Sequence, residues 1–222
     1  MTLLGIDTST SAASACVLRA DGAAFELTPS PGRLARAPAH ASELMPAIAE
    51  VMERAGVGWR DLDAIVVGVG PGTFTGLRIG IATARALAMA AELPLRRVSS
   101  LAVLAAGVDA PLKLPLIDAR RGEVFAALFD GEEELWAPFA ASPEALIARL
   151  RHGAFSPLAA GDGSLRFRGM LEEAGIPVEP DSSKAHVVHA LSVCRLGRGA
   201  PDESPEAVLP DYLREPDAKP QK

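Results

Sequence analysis

The sequence predicts a duplicated α/β domain: two halves that each open on strands joined by tight turns and continue in alternating helix and strand, with a cleft between them. Three observations predict it. Residues 3–7, 13–19 and 23–27 read as three apolar strands in a meander, with Asp21-Gly22 as a hairpin turn. A β-branched run at 65–69 passes through Gly70-Pro71-Gly72 into a long helix over about 75–91. A second meander then begins, with strands at 114–117 and 124–129 and a tight connection at 120–123. The halves are expected to divide as residues 1–107 and 108–214, leaving 215–222 as a polar, disordered tail.

The remaining elements follow from local pattern. Residues 29–38 are rich in Pro and Arg and show no periodicity, so they read as a loop. A helix over 41–54 places Leu44, Ile48, Val51, Met52 and Ala55 on one face, and Gly56 and Gly58 end it. Residues 95–98 read as an edge strand, and Ser99 caps a short helix over 101–106. Glu132-Glu133-Glu134 reads as an exposed acidic turn. Ser142-Pro143-Glu144 carries the start signals of a helix: a capping hydroxyl, Pro at the first position and an early acid. A short strand at 158–161 and helices over 166–174 and 186–197 complete the pattern.

Composition narrows the function classes. The chain has 222 residues and a net charge of −6, and its arginines come as scattered pairs rather than a basic stripe. A protein that held nucleic acid alone would show such a stripe, so an RNA role needs another subunit. No segment reaches the length of apolar residues that spans a membrane, and the first residues meet Asp7 without a basic n-region, so a cytoplasmic protein is expected. Cys16 and Cys194 read as buried free thiols.

The chemistry-bearing candidates cluster at turns. Asp7-Thr8-Ser9-Thr10 follows the first strand, where a hydroxyl-rich hairpin either wraps phosphate or bonds its own backbone. Gly70 and Gly72 sit between a strand and a helix N-terminus, a geometry that can hold phosphate or simply turn the chain. No Lys-Ser or Lys-Thr follows, and the G-x-G-x-x-x-G spacing is not that of a dinucleotide site. Asp118, near Arg120, is the one carboxylate placed at the top of a strand. Asp7, Thr8, Thr10, Gly70, Gly72, Asp118 and Arg120 are thus the candidate phosphate or nucleotide contacts. His40 has Leu44 where a second metal-binding histidine would stand, and His186 and His189 have no third ligand, so no metal site is expected.

The helix behind the glycine turn carries a row of small residues. Gly76, Gly80, Ala84 and Ala88 recur every four positions and share one face. Interior glycine costs about 1 kcal/mol against alanine, and close packing against another element is the natural offset. Burial within the domain and a subunit interface both satisfy this.

Five segments taken in order resemble the TsaB (YeaZ) family: Leu4-Gly5-Ile6-Asp7-Thr8-Ser9-Thr10, His40-Ala41-Ser42-Glu43-Leu44, Gly70-Pro71-Gly72-Thr73-Phe74-Thr75-Gly76-Leu77-Arg78, Ile117-Asp118-Ala119-Arg120-Arg121-Gly122-Glu123-Val124-Phe125 and Pro210-Asp211-Tyr212-Leu213-Arg214. The resemblance spans nearly the whole chain. It implies an actin-like ASKHA (ribonuclease H-like) fold of two subdomains, each with a mixed sheet and flanking helices. It also implies a role in making threonylcarbamoyladenosine beside the anticodon of tRNAs reading ANN codons. TsaD would be the catalytic partner and TsaE the ATPase, and the chain alone would form a homodimer through the face that meets TsaD. It would have no cofactor of its own, ATP or ADP would lie only at the boundary with TsaD, and tRNA would be met only through the complex. TsaD-like proteins carry a His-x-x-x-His metal pair, and Leu44 in the second position fits a non-catalytic partner. The expected interface is the row Gly76, Gly80, Ala84 and Ala88 with His40, Leu44 and Ile48 of the preceding helix. The alternative is an independent ASKHA-type ATPase or phosphotransferase using Asp7, Thr10 and the glycine turn.

Overall fold

The computed structural model describes residues 1–214; the tail expected over 215–222 lies outside the described residues. Strands β1 (Leu3–Asp7), β2 (Ser14–Leu18) and β3 (Ala24–Leu27) form the meander. Helix α1 (His40–Ala55), strand β4 (Ala64–Gly68), helix α2 (Phe74–Ala91), strand β5 (Leu95–Val98) and helix α3 (Ser100–Ala105) follow. The first sheet has the order β3-β2-β1-β4-β5. β2 runs antiparallel to β1 and β3, while β1, β4 and β5 are parallel. Helix crossovers impose the parallel part, because only a long connection can return a strand in the same direction.

The second half supplies β6 (Leu112–Arg120), β7 (Glu123–Asp130), β8 (Glu133–Ala141), α4 (Pro143–His152), β9 (Leu158–Ala160), α5 (Asp162–Arg166), α6 (Arg168–Glu173) and α7 (Ala190–Gly197). Its sheet has the order β8-β7-β6-β9. The acidic stretch at 132–134 is only partly a turn: Glu133 and Glu134 start a nine-residue edge strand. The helix expected over 166–174 begins four residues earlier and is interrupted at Phe167, giving α5 and α6. The helix expected over 186–197 starts at Ala190, after a single 3-10 turn at Lys184–His186.

The layers explain the burial. One face of the first sheet packs on α1 and α2 through Leu4, Ile6, Ile65 and Val67 against Leu44, Ile48, Leu77 and Ala84. The other face, with Leu3, Cys16 and Val66, shares a core with α3, α7 and the inner face of the second sheet (Ile117, Phe125, Ala127). The outer face of the second sheet is covered by Leu146, Leu150 and Leu171 of α4 and α6. The strands of the two sheets divide between Val98 and Leu112, but the chain then returns. α7 packs in the shared core against β1 and β2, and Val208 joins the α1–α2 core. Cys16 and Cys194 are free and buried, with the Cys194 thiol donating to the Cys16 carbonyl at 3.6 Å.

Candidate functional site

The β1–β2 turn, the glycine turn and the start of α2 lie against one another. Their contacts show what the turn residues do. Asp7 is 1% exposed. Its carboxylate accepts from the Ser9 backbone N–H at 2.8 Å, the Ser9 hydroxyl at 2.6 Å and the Ser100 hydroxyl at 2.8 Å. Burial raises its pKa, against the opposing pull of those bonds. The Thr8 hydroxyl donates to the Gly76 carbonyl at 2.7 Å, and the Thr10 hydroxyl accepts from the Ala12 N–H at 3.3 Å. Thr73 N–H donates to the Ser9 carbonyl at 2.7 Å, and a side chain on Gly72 would collide with Ser9.

These facts correct part of the expected phosphate site. Asp7, Thr8 and Thr10 are buried and bonded to their own chain, and Gly72 is needed so that the glycine turn can sit on Ser9. Residues 72–73 lie directly against this turn, with the Thr73 N–H on the Ser9 carbonyl. Gly70 has φ 111°, a left-handed backbone that favours glycine.

Asp118 and Arg120 stand across a cleft from α2. The β6–β7 hairpin turns through Arg121-Gly122, both with positive φ, as a two-residue hairpin loop requires. A register shift between Asp118 and Arg120 re-aims the latter, so that its guanidinium pairs with Asp118 at 3.0 Å. Arg166 reaches the same Asp118 oxygen at 2.8 Å. Beneath them Asp162, a residue no sequence motif marks, accepts the Asp118 N–H at 2.9 Å. Burial, with the charge of Asp118 adding to it, pushes Asp162 up to about 6.

The cleft has a volume of about 680 Å³ and is lined by Thr73, Phe74, Asp118, Arg120, Tyr212 and Arg214 among others. Residues 211–214 cross its mouth. Asp211 pairs with Arg97 at 2.6 Å, and Tyr212 stacks on Phe74 with ring centroids 5.3 Å apart. Arg214 donates to the Ala119 carbonyl at 2.9 Å. The first lobe is thereby tied to the second.

The row Gly76, Gly80, Ala84 and Ala88 is buried. A Cβ on Gly80 would overlap the Thr8 hydroxyl, and one on Gly76 would overlap the Thr8 carbonyl. The row therefore faces the protein's own β1–β2 turn and first sheet. His40, Leu44 and Ile48 are likewise buried, at 3%, 1% and 1% exposure. None of these seven side chains is presented to a partner, which corrects the expected interface. The outward faces of the same helices carry a different set. On α2, Phe74, Arg78, Ala82, Ala86 and Ala90 recur every four residues and are exposed, as is Met89 beside them. On α1, Ala41, Met45 and Ala49 do the same. Sequence spacing missed this stripe because α2 is small and apolar on both faces. A second four-residue repeat, offset by two, was its signal. No group of three or more metal-ligating side chains occurs among the described residues.

Comparison with known proteins gives these features a lineage. The family model for TsaD, described as tRNA N6-adenosine threonylcarbamoyltransferase, matches residues 33–146. The protein of Escherichia coli K12 named tRNA threonylcarbamoyladenosine biosynthesis protein TsaB is 38% identical over 144 residues, covering 61% of this chain and 58% of that one. The protein of the same name in Bacillus subtilis 168 is 29% identical over 222 residues, covering 96% of this chain and 94% of that one. Among solved structures, YeaZ from Pseudomonas aeruginosa superposes with a TM-score of 0.75 at 30% identity, over 96% of this chain and 99% of that one. The two-lobed mixed α/β architecture is thus the ribonuclease H-like, ASKHA fold that the resemblance implied. The chain belongs to the TsaB (YeaZ) family.

Proposed function

We propose that this chain works in tRNA threonylcarbamoyladenosine biosynthesis as the non-catalytic partner of a TsaD-like transferase. It would act with a TsaE-like ATPase on the adenosine 3′ of the anticodon in tRNAs reading ANN codons. The names of the Escherichia coli and Bacillus subtilis relatives support the pathway. The observation that carries the partner role is the closed β1–β2 turn. Asp7 is satisfied by Ser9 and Ser100, and the turn is covered by Thr73, which leaves no open phosphate cradle there for independent ATP chemistry.

The surface for the partner is the outer stripe of α1 and α2. Met45, Phe74 and Met89 are 46%, 42% and 56% exposed beside Ala41, Ala49, Ala82 and Ala86. Small side chains let another helix pair approach closely, and a standard interface buries about 1,600 Å² in total. In the free chain the same stripe would pair with a second copy. Any ATP or ADP would lie at the boundary with the TsaD-like protein. Ala86→Glu tests this, since it places a charge in the stripe without touching the core. The variant is expected to stay folded, to lose capture of the TsaD-like protein and to fail to support tRNA modification. Normal capture and modification would overturn the interface.

A further inference from the structure

Arg78, in the outer stripe of α2, is exposed yet held in one orientation. Its guanidinium carbon lies 3.7 Å from the centre of the Phe74 ring, one helical turn back. Its Nε donates to the Tyr212 hydroxyl at 3.0 Å, and Tyr212 in turn stacks on Phe74. The strap holds Tyr212 from both sides: the Asp211 N–H donates to the Val69 carbonyl at 2.8 Å, and Arg214 bonds the Ala119 carbonyl. These contacts use the face and the Nε of the guanidinium. Its two terminal nitrogens have no carboxylate among the described residues. Arg85, seven residues on, is likewise without an acid there, and α2 carries these two arginines and no acidic residue. Seven residues put them about 10.5 Å apart along the helix, on nearly the same face. Phe74, Tyr212 and Leu213 rim Arg78 at 42%, 40% and 38% exposure. An oriented arginine among exposed aromatic rings has the make-up of an interface anchor, and its ordering cost is already met in the free chain.

We propose that Arg78 anchors the TsaD-like protein by holding one of its carboxylates on the two terminal nitrogens, with Arg85 meeting a second about two turns along; this rests on the partner role and the stripe argued above. Phe74 and Tyr212 are positioning residues for Arg78. An exposed ion pair is worth little, but a two-pronged arginine–carboxylate pair is strong once docking excludes water. The surrounding Ala82, Ala86 and Met89 of the stripe supply that exclusion. A second copy of this chain fits less well: of the acids on α1, Glu43 and Glu50 are already paired with Arg33 and Arg54, which leaves Glu53. RNA phosphate fits less well too, because the stripe is apolar and the chain carries a net charge of −6.

The test measures affinity of the full chain for the TsaD-like protein at ~0.05 and ~0.5 M salt, with thermal unfolding of each variant as the check on folding. Arg78→Gln is expected to weaken capture by about tenfold or more at low salt and to flatten its salt dependence. Tyr212→Phe keeps the ring and loses only the hydroxyl. It is expected to weaken capture several-fold in the parent and not at all in the Arg78→Gln background, because it acts through Arg78. Parental affinity in Arg78→Gln, or a Tyr212→Phe effect of equal size in both backgrounds, overturns the anchor. If Ala86→Glu loses capture in that case, the partner surface stands and the anchor alone fails. If Ala86→Glu also captures normally, both fail. An effect of Arg78→Gln confined to self-association in sedimentation, or to tRNA binding by the chain alone, gives the arginine to another occupant and likewise overturns the proposal.

Discussion

Replacing Gly80 by alanine tests how α2 sits in the fold. At an exposed helix interior this change stabilises by about 1 kcal/mol, because glycine is the poorer helix former. Here the sign reverses. The new Cβ would stand well under 3.0 Å from the Thr8 hydroxyl and 3.3 Å from the Thr8 Cβ, so either α2 lifts or Thr8 rotates away. Rotation breaks the buried 2.7 Å bond to the Gly76 carbonyl, which costs about 1–3 kcal/mol when the acceptor is left unpaired. Lifting the helix strains a packed core by about 1–3 kcal/mol. Set against the propensity gain of about 1 kcal/mol, either route leaves a net loss of up to about 2 kcal/mol. For a chain of this size that lowers Tm by up to roughly 8 °C. Thermal and urea unfolding followed by circular dichroism reads it. A variant more stable than the parent by about 1 kcal/mol, the gain expected at an exposed position, would refute the burial of this row and return it to the partner-facing surface.

Three further outcomes are expected. Ala86→Glu should change unfolding stability by less than about 0.5 kcal/mol, as surface changes do, while converting any dimer to monomer in gel filtration. Asp162→Asn should weaken a pH dependence: the half-buried Asp162 has its pKa raised from 3.8 to about 6, so the parent loses stability as pH rises through that window, by at most about 2–3 kcal/mol. Denaturant midpoints of the variant should fall less steeply there, the remaining slope belonging to Asp7, whose pKa burial also raises; an unchanged slope would contradict the assignment. The third concerns Glu26 and His189, 3.4 Å apart. The hydrogen bond with Glu26 raises the His189 pKa above 6.5 against its burial. Burial raises that of Glu26, but bonds from His189, the Leu191 N–H and Thr28 outweigh it and leave it below 4.5. The His189 contribution is therefore full below pH 6.5 and lost as pH rises through its raised pKa. The Glu26 contribution is full above pH 4.5 and lost as pH falls through its lowered one. His189→Gln should flatten the alkaline limb between pH 6 and 8, and an unchanged limb would count against the pair.

Much of the fold was legible because its signals are local. The Asp21-Gly22 turn, the apolar face of α1, Ser142-Pro143 and the run into Gly70 each name an element without reference to its neighbours. β8 was hidden because Glu133, Glu134 and Pro138 make an edge strand resemble a turn. The break at Phe167 carries neither Gly nor Pro. The candidate site was legible in its location but not in its roles. Periodicity showed that α2 has a small-residue row, yet two such rows exist, and only tertiary packing tells which meets Thr8. The Asp7 motif looks the same whether its carboxylate faces a ligand or Ser100, which lies 93 residues away. Asp162 acts through a bond to Asp118 within the second lobe, 44 residues away in sequence, and the strap at residues 211–214 through contacts between the lobes; no spacing encodes either.

Reconstituted modification of an ANN-reading tRNA tests the partner role most directly. Threonylcarbamoyladenosine is measured with the TsaD-like and TsaE-like proteins in the presence and absence of this chain, and ATP turnover is measured on the chain alone. Modification is expected only when the chain is present, with loss of that support in Ala86→Glu and no ATP turnover by the isolated protein. Equal modification without the chain, or ATP hydrolysis by the chain on its own, would contradict the partner role.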